Sequence, residues 1–220
     1  DPIGFADGPN LYAYVHNDPM RYVDYEGLTS KTANYQFYSQ QAKYVKGMNK
    51  KTLNKIIDYA SRDIGKRRVL KGGQALENGR ITFGNGIFNN LKDLANTTQM
   101  LSDLSGGYQV TGIYNDSRGP GAFKAFFESL GYKTKEVMNL RTEFCRSFLE
   151  LAQKRSEGID VRHLHISHSQ GSIQTKHALR GLPDPVRQHV EVLNINGGKV
   201  VPEKYCFRAT NLQSSGDIVP

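Results

Sequence analysis

The feature that most constrains this chain is a repeated unit: a short β-type run, a glycine-marked turn, then apolar residues at helical spacing. Arg80-Ile81-Thr82-Phe83 ends in Gly84-Asn85-Gly86, and Leu91, Leu94, Ala95, Thr98, Leu101 and Leu104 follow as a stripe stopped by Gly106-Gly107. Tyr108 to Tyr114 is the next strand. After the loop from Asn115 to Gly121, Phe123, Phe126, Phe127 and Leu130 mark a helix, and Phe144, Phe148, Leu151 and Ala152 another that ends at Gly158. His163-Leu164-His165-Ile166 is a third strand. It runs through Ser167-His168-Ser169-Gln170-Gly171 into a helix carrying Ile173, His177 and Leu179 up to Gly181; Val190 to Ile195 and Tyr205 to Thr210 complete the strands. Strands alternating with helices predict an α/β fold, a mostly parallel sheet with helices on both faces.

The residues ahead of this region differ. From Thr29 to about Arg68, Tyr35, Tyr38, Ala42 and Val45, then Leu53, Ile56, Ile57 and Ala60, have three-four spacing on either side of Gly47. Two helices are expected over 29–68, either a linker or the first helices of the domain that occupies 69–220. Residues 1–28 form a third piece. Gly4, Gly8 and Pro19 punctuate short extended stretches, and Tyr12 and Tyr14 alternate as a strand requires.

Composition narrows the class. At 220 residues the chain can bury a core without staples. Cys145 and Cys206 lack CxxC spacing and read as free thiols, not as a disulfide scaffold or a cysteine-built zinc site. No apolar run approaches the roughly eighteen residues of a membrane span. The chain opens Asp1-Pro2-Ile3, without a methionine or a basic-then-apolar leader, so it is expected to be part of a longer polypeptide. Five acidic side chains against Arg21 make residues 1–28 acidic, whereas the rest holds 28 Lys/Arg against 16 Asp/Glu. A basic body of this kind suits a nucleic-acid partner, an anionic lipid surface, or simple solvation; no basic stripe interleaved with aromatics favours the first.

Chemistry concentrates at position 169. In the GxSxG elbow a nucleophilic serine occupies a tight strand-to-helix turn, with flanking glycines because side chains there would collide with neighbouring backbone. Here the pattern is Ser167-x-Ser169-x-Gly171, with only the first glycine replaced, by serine. The strand before and the helix after are as the elbow requires; the competing reading is an ordinary strand-turn-helix with a serine cap. As a nucleophile, Ser169 needs a base, an acid to orient that base, and N–H donors for the oxyanion. Gln170 N–H is the first expected donor. The second is expected from the turn after an earlier strand, at Ile87 N–H with Gly86 as its neighbour, unless that loop is a simple turn.

Two resemblances extend this reading. Asp1-Pro2-x-Gly4, Gly8-x-Asn10-Leu11-Tyr12-x-Tyr14-Val15, Asn17-x-Pro19 and Tyr22-Val23-Asp24-x-x-Gly27-Leu28 together resemble the closing motif of Rhs/YD-repeat proteins. These are bacterial shells that encapsulate a variable C-terminal polymorphic toxin, interbacterial or host-directed. The resemblance implies a secreted or delivered effector with the Rhs shell, and an immunity protein, as partners. It also implies autoproteolysis: Asp1 corresponds to the family's protease-motif aspartate, and the cut would fall between Leu28 and Thr29. The family's partner Arg and Asp lie upstream of this chain, so self-cleavage by these 220 residues alone is not expected.

The second resemblance concerns chemistry. Gly216-Asp217-Ile218-Val219-Pro220 resembles the GDxVP segment that carries the acid in lipase-like α/β-hydrolases, which makes Asp217 the candidate acid; read without it, Asp217 is a turn residue. In such hydrolases the chain order is Ser, Asp, His. Only three residues follow Asp217, so the catalytic histidine is expected beyond residue 220, the domain incomplete at its C-terminus, and this stretch inactive by itself. An atypically placed histidine or a domain without hydrolase activity are the alternatives.

The histidines present read otherwise. His168 abuts the nucleophile and diverges from it, His177 and His189 read as surface or packing, and His16 belongs to the first piece. His163 and His165 share a strand face; grouped with His168 they suggest a metal cluster, but no zinc-type carboxylate motif accompanies them, and no metal or cofactor is expected. The resulting expectation is a serine ester hydrolase of lipase, phospholipase or esterase type, with target membrane lipid as the substrate that a basic body would favour. The alternatives are a nuclease using the His163 to His168 cluster, and a non-enzymatic cargo or binding module.

Overall fold

The computed structural model describes residues 30–64, 68–86, 90–114 and 134–214. The helix expected around Phe123, Phe126 and Phe127 lies outside them, as do Asp1, Leu28, Thr29, Ile87 and Asp217. Helices α1 (Ser30–Gln41) and α2 (Lys50–Ala60) lead into strand β1 (Arg68–Lys71) and strand β2 (Gly79–Gly84). Then come α3 (Leu91–Leu104), β3 (Val110–Ile113), α4 (Lys135–Glu150) and α5 (Ala152–Ser156). Strand β4 (Arg162–Ser169), α6 (Gln170–Arg180), α7 (Asp184–Arg187), β5 (Val190–Gly197) and β6 (Arg208–Leu212) complete the order.

Local chemistry sets the helix starts. Asn49 accepts from Thr52 N–H at 2.9 Å, and Thr134 caps α4. Asn90 and Asp93 close a reciprocal capping box on α3.

The six strands form one mixed, mostly parallel sheet in the order β1-β3-β2-β4-β5-β6. Only β1 runs against its neighbour, pairing Arg68 with Ile113 at the edge. That strand falls where helical spacing was expected to end, and only alternate residues of it are half-buried. The last strand also differs from expectation. Tyr205 lies in a 3-10 turn, and the ladder begins at Arg208, parallel to β5.

Period-2 alternation divides the sheet cleanly. Ile81, Phe83, Val110 and Ile166 face α3, where Leu94 is buried against them. Gly112 lies on the same face; a Cβ there would sit 2.4 Å from Thr98 Oγ1, so α3 crosses β3 at glycine distance. On the other face α4 presents Val137, Leu140, Phe144 and Phe148 at helical spacing, in one core with Val190 and Val192 of β5 and Leu179 of α6. Tyr38, Ile56, Ile57 and Ala60 belong to this same core, so α1 and α2 pack as part of the domain. Helices therefore cover both faces. Each fully buried Phe or Leu contributes about 1.5–3 kcal/mol. Cys145 and Cys206 are free and buried.

Candidate active site

Strand order locates the crevice. From β2 the chain proceeds through α3 to β3 on one side, and from β4 it proceeds through α6 and α7 to β5 on the other, so the direction of winding reverses between β2 and β4. In open α/β sheets, ligands bind beyond the carboxyl ends of the strands at such a switch point. Here those ends are Gly84-Asn85-Gly86 and Ser169.

Ser169 has φ 51° and ψ −124°. It is the last residue of β4 and directly precedes α6, so strand becomes helix with no intervening loop. An L-residue with a side chain seldom adopts this conformation, and such a residue costs on the order of 1–3 kcal/mol. The surroundings hold it there. Ser169 O accepts from Gly198 N–H at 2.9 Å and from Ser172 Oγ at 2.7 Å, while Ser172 Oγ in turn accepts from Lys199 N–H at 3.0 Å. The loop after β5 thereby clamps the turn. Pairing of β4 with β5 slips by one residue at this level, where Asn196 takes φ 44° and its Oδ1 accepts from Ser214 N–H at 2.8 Å.

The glycine pattern has steric reasons. A Cβ on Gly171 would lie 2.6 Å from Gly84 O and 3.1 Å from Asn85 O, so the first turn of α6 rests on the backbone that ends β2. Gly86 presses on the serine itself: a Cβ there would be 2.9 Å from Ser169 Cβ and 3.4 Å from Oγ. At the first position of the motif the substituted residue is accommodated. Ser167 is fully buried and donates to Asn194 Oδ1 at 3.1 Å, so its side chain turns toward β5 instead of into the turn. Asn194 Nδ2 reaches Lys199 O at 3.1 Å and Asn211 Oδ1 at 2.9 Å, joining the ends of β4, β5 and β6.

The structure thus brings together Ser169, Gln170 and Gly86. Gln170 begins α6, whose N-terminal turn directs N–H groups and the positive end of the helix dipole at the crevice. Ile87 follows Gly86 but lies outside the described residues. So does Asp217, although β6 runs parallel to β5 and the chain at Ser214 is tied to Asn196, at the same end of the sheet as Ser169.

Below the turn lies a buried polar chain. Thr82 Oγ1 is 2.7 Å from both His163 Nε2 and His165 Nδ1, His165 Nε2 is 2.9 Å from Thr175 Oγ1, and Thr175 Oγ1 donates to Gly171 O at 2.7 Å. Burial holds the His165 imidazole down to about 3 and pushes His163 well below its ordinary value, the nearby His189, His165 and Arg80 adding to the effect at His163. These rings are neutral and lie beneath the turn at Ser169. Phe144 meets both edge-on. His168 is exposed on the other face of β4, so the three histidines of that strand do not converge. Among the described residues no group of three or more His, Cys, Asp or Glu side chains is placed to hold a metal ion. His189 is buried and bonded near Ser147 and Val161, and His177 stands eight residues along α6 from Ser169, about 12 Å by helix rise.

Sequence reasoning missed the clamp on Ser169 O and the Ser167–Asn194 bond. Both join positions 27 to 29 residues apart, beyond any local pattern. Compared with protein-family models the chain matches none, and no curated protein matches it either.

Proposed function

We propose that residues 29–220 are the toxin region of an Rhs-type polymorphic effector and act as a serine hydrolase on acyl esters, in the manner of a lipase-like α/β-hydrolase. The observation that carries the chemistry is Ser169 at φ 51°, ψ −124° on a strand-to-helix junction without a loop, with Gly86 packed against its Cβ. Its place at the switch point of a mostly parallel sheet supports the same reading. The effector reading rests on the motif in residues 1–28, which also implies the Rhs shell and an immunity protein as partners and delivery into a target cell. No helix among the described residues is long and apolar enough to cross a membrane; lipid would be met as substrate at a surface.

In the proposed reaction Ser169 Oγ attacks the ester carbonyl and loses its proton to a histidine outside the described residues, which Asp217 orients. The carbonyl π electrons move to oxygen, and N–H groups of Gln170 and Ile87 receive the oxyanion. Collapse expels the alcohol, protonated by the same histidine. Water, deprotonated by that histidine, then attacks the acyl-serine and releases the acid. The substrate named first is a membrane glycerolipid, since the basic domain favours anionic surfaces.

A fluorophosphonate probe on the full-length effector tests this. Labelling should map to Ser169, disappear in Ser169→Ala, and weaken in Asp217→Asn. No label on a folded full-length protein, or undiminished toxicity of Ser169→Ala, would remove the nucleophile and bring forward a nucleic-acid-directed or purely binding effector.

A further inference from the structure

A second concavity lies at the opposite end of the sheet from Ser169, where β4 and β5 begin. It encloses about 800 Å³ between the segment joining α1 to α2, the end of α4 with α5, and α7. Along β4 it is separated from Ser169 by seven residue steps, roughly 23 Å. The volume is within the range of small-molecule sites.

The charge of its wall is unbalanced. Lys46, Arg155 and Arg162 line it against Asp184, and that carboxylate is already paired with Arg187. Arg155 is half-buried and no carboxylate among the described residues pairs with it. Its Nη2 donates to Phe148 O at 2.6 Å and its plane lies over the Phe148 ring at 4.1 Å, while Nη1 is 3.3 Å from His189 Nδ1. His189 Nδ1 is also 3.1 Å from Val161 O. One nitrogen cannot donate to a carbonyl and accept from a guanidinium at once. In the tautomer that donates to Val161 O, Nε2 accepts from Ser147 Oγ at 3.2 Å, and Arg155 Nη1 keeps a proton for another acceptor. Arg162 adds to this. Its Nε is buried without a hydrogen-bond partner, its guanidinium lies over the Phe207 ring at 4.0 Å, and among the described residues its one ion pair is to Asp160, whose side chain is 76% exposed. Burial and the neighbouring Arg162 draw the Arg155 guanidinium down to about 10, the direction expected of a cation that an anion would relieve.

We propose that this concavity binds an organic anion, its oxyanion group held by Arg155 and Arg162 with Lys46 at the mouth, and its apolar body against Tyr44, Met48 and Phe148. Guanidinium forks suit planar carboxylate and phosphate oxygens alike. The site does not depend on the reading of Ser169.

Calorimetric titration of the chain with octanoate, octyl phosphate, inorganic phosphate and octanol tests it. Octanoate or octyl phosphate should bind saturably at one site, at least tenfold more tightly than octanol. Arg155→Gln should cost at least tenfold in anion affinity and leave octanol unchanged. Lys46→Glu reverses a charge at an exposed position with no packing role and should weaken the anion severalfold even if Arg155→Gln fails to fold. Binding of octyl phosphate alone assigns a phosphate ester, and binding of both assigns any oxyanion on an apolar body. Inorganic phosphate should bind more weakly than octyl phosphate if the apolar wall contributes. Octanol binding as tightly as the anions, anion affinity unmoved by Lys46→Glu, or no saturable binding of either amphiphile overturns the proposal.

Discussion

Ser169→Gly and Ser169→Ala remove the same hydroxyl but treat the backbone differently, which makes the pair a direct measure of strain at the elbow. Alanine keeps a Cβ at φ 51°, ψ −124°; glycine does not. A residue in such a region carries about 1–3 kcal/mol, which glycine releases. Against this, glycine loses more freedom on folding, about 0.4–1 kcal/mol relative to alanine. The difference leaves Ser169→Gly more stable than Ser169→Ala by about 0.5–2 kcal/mol, a reversal of the usual order. With an urea m-value of about 3 kcal/mol/M for a domain of this size, the midpoints should differ by about 0.2–0.7 M, read by circular dichroism at equal slopes. No described side chain bonds to Ser169 Oγ, so the hydroxyl adds no separate term to either variant. If Ser169→Ala unfolds at the same or a higher urea concentration than Ser169→Gly, the turn is unstrained and Ser169 is not held in the way a nucleophile elbow requires.

Gly171→Ala forces a Cβ to 2.6 Å from Gly84 O, backbone that cannot rotate away, and should cost about 1–3 kcal/mol, whereas Gly73→Ala, with nothing within 4 Å, should lie within about 0.5 kcal/mol of wild type or above it; urea midpoints separate the two. Asn194→Ala removes the acceptor for Ser167 and two donated bonds at the ends of three strands, and should cost about 2–4 kcal/mol. Acid should destabilise the fold early. His163 is held well below its ordinary value, and His165 and His189 are held down to about 3, chiefly by burial, while their unfolded counterparts protonate near 6.5. The unfolded state then binds more protons, so the stability present above about pH 6.5 is lost as pH falls toward 3, at about 1.4 kcal/mol per unit for each ring and about 4 for the three. A urea midpoint that stays level from pH 7 to pH 5 contradicts their neutral burial.

Much of this fold is legible in local pattern because β-type runs, glycine turns and helical apolar stripes succeed one another along the chain, even where a strand such as β3 is buried on both faces. Helix α3 is an example: its stripe is there, but only Leu94, Thr98 and Ser102 are buried, while Leu91 and Leu104 at its ends are exposed. Strand β1 escapes such reading for a physical reason. Arg68-Val69-Leu70-Lys71 is an edge strand whose burial alternates but whose residue types do not follow it, since the apolar Leu70 is half exposed and the charged Lys71 half-buried. Strand β6 is polar and mostly exposed, which is why its start shifts from the aromatic Tyr205 to Arg208. At the site, Ser169, Gln170 and Gly86 are readable because glycine spacing records close approach. The role of Ser167 is not. Its hydroxyl fits only because Asn194 stands beside it on the next strand, and pairing register is not written in either segment alone.

The two faces of the sheet contribute differently to the elbow. Toward α3 the contacts of Ile81, Phe83, Val110 and Ile166 are apolar, and such packing tolerates small displacements. Toward α4 and α6 the layer beneath Ser169 holds buried polar groups in two sets, Thr82 with His163, His165 and Thr175, and Ser167 with Asn194, bonded at 2.7 to 3.1 Å. Hydrogen bonds fix direction as well as distance, and a buried network loses heavily if one member is displaced. The chain ends on Gly171 O, in the first turn of α6, while Gly198 N–H and Ser172 Oγ hold Ser169 O directly. A strained residue persists only when its surroundings over-determine it. Here the over-determination comes from directional bonds on one face of the sheet, so changes to Thr82, His165 or Thr175 should let Ser169 relax toward ordinary dihedrals well before the apolar face comes apart.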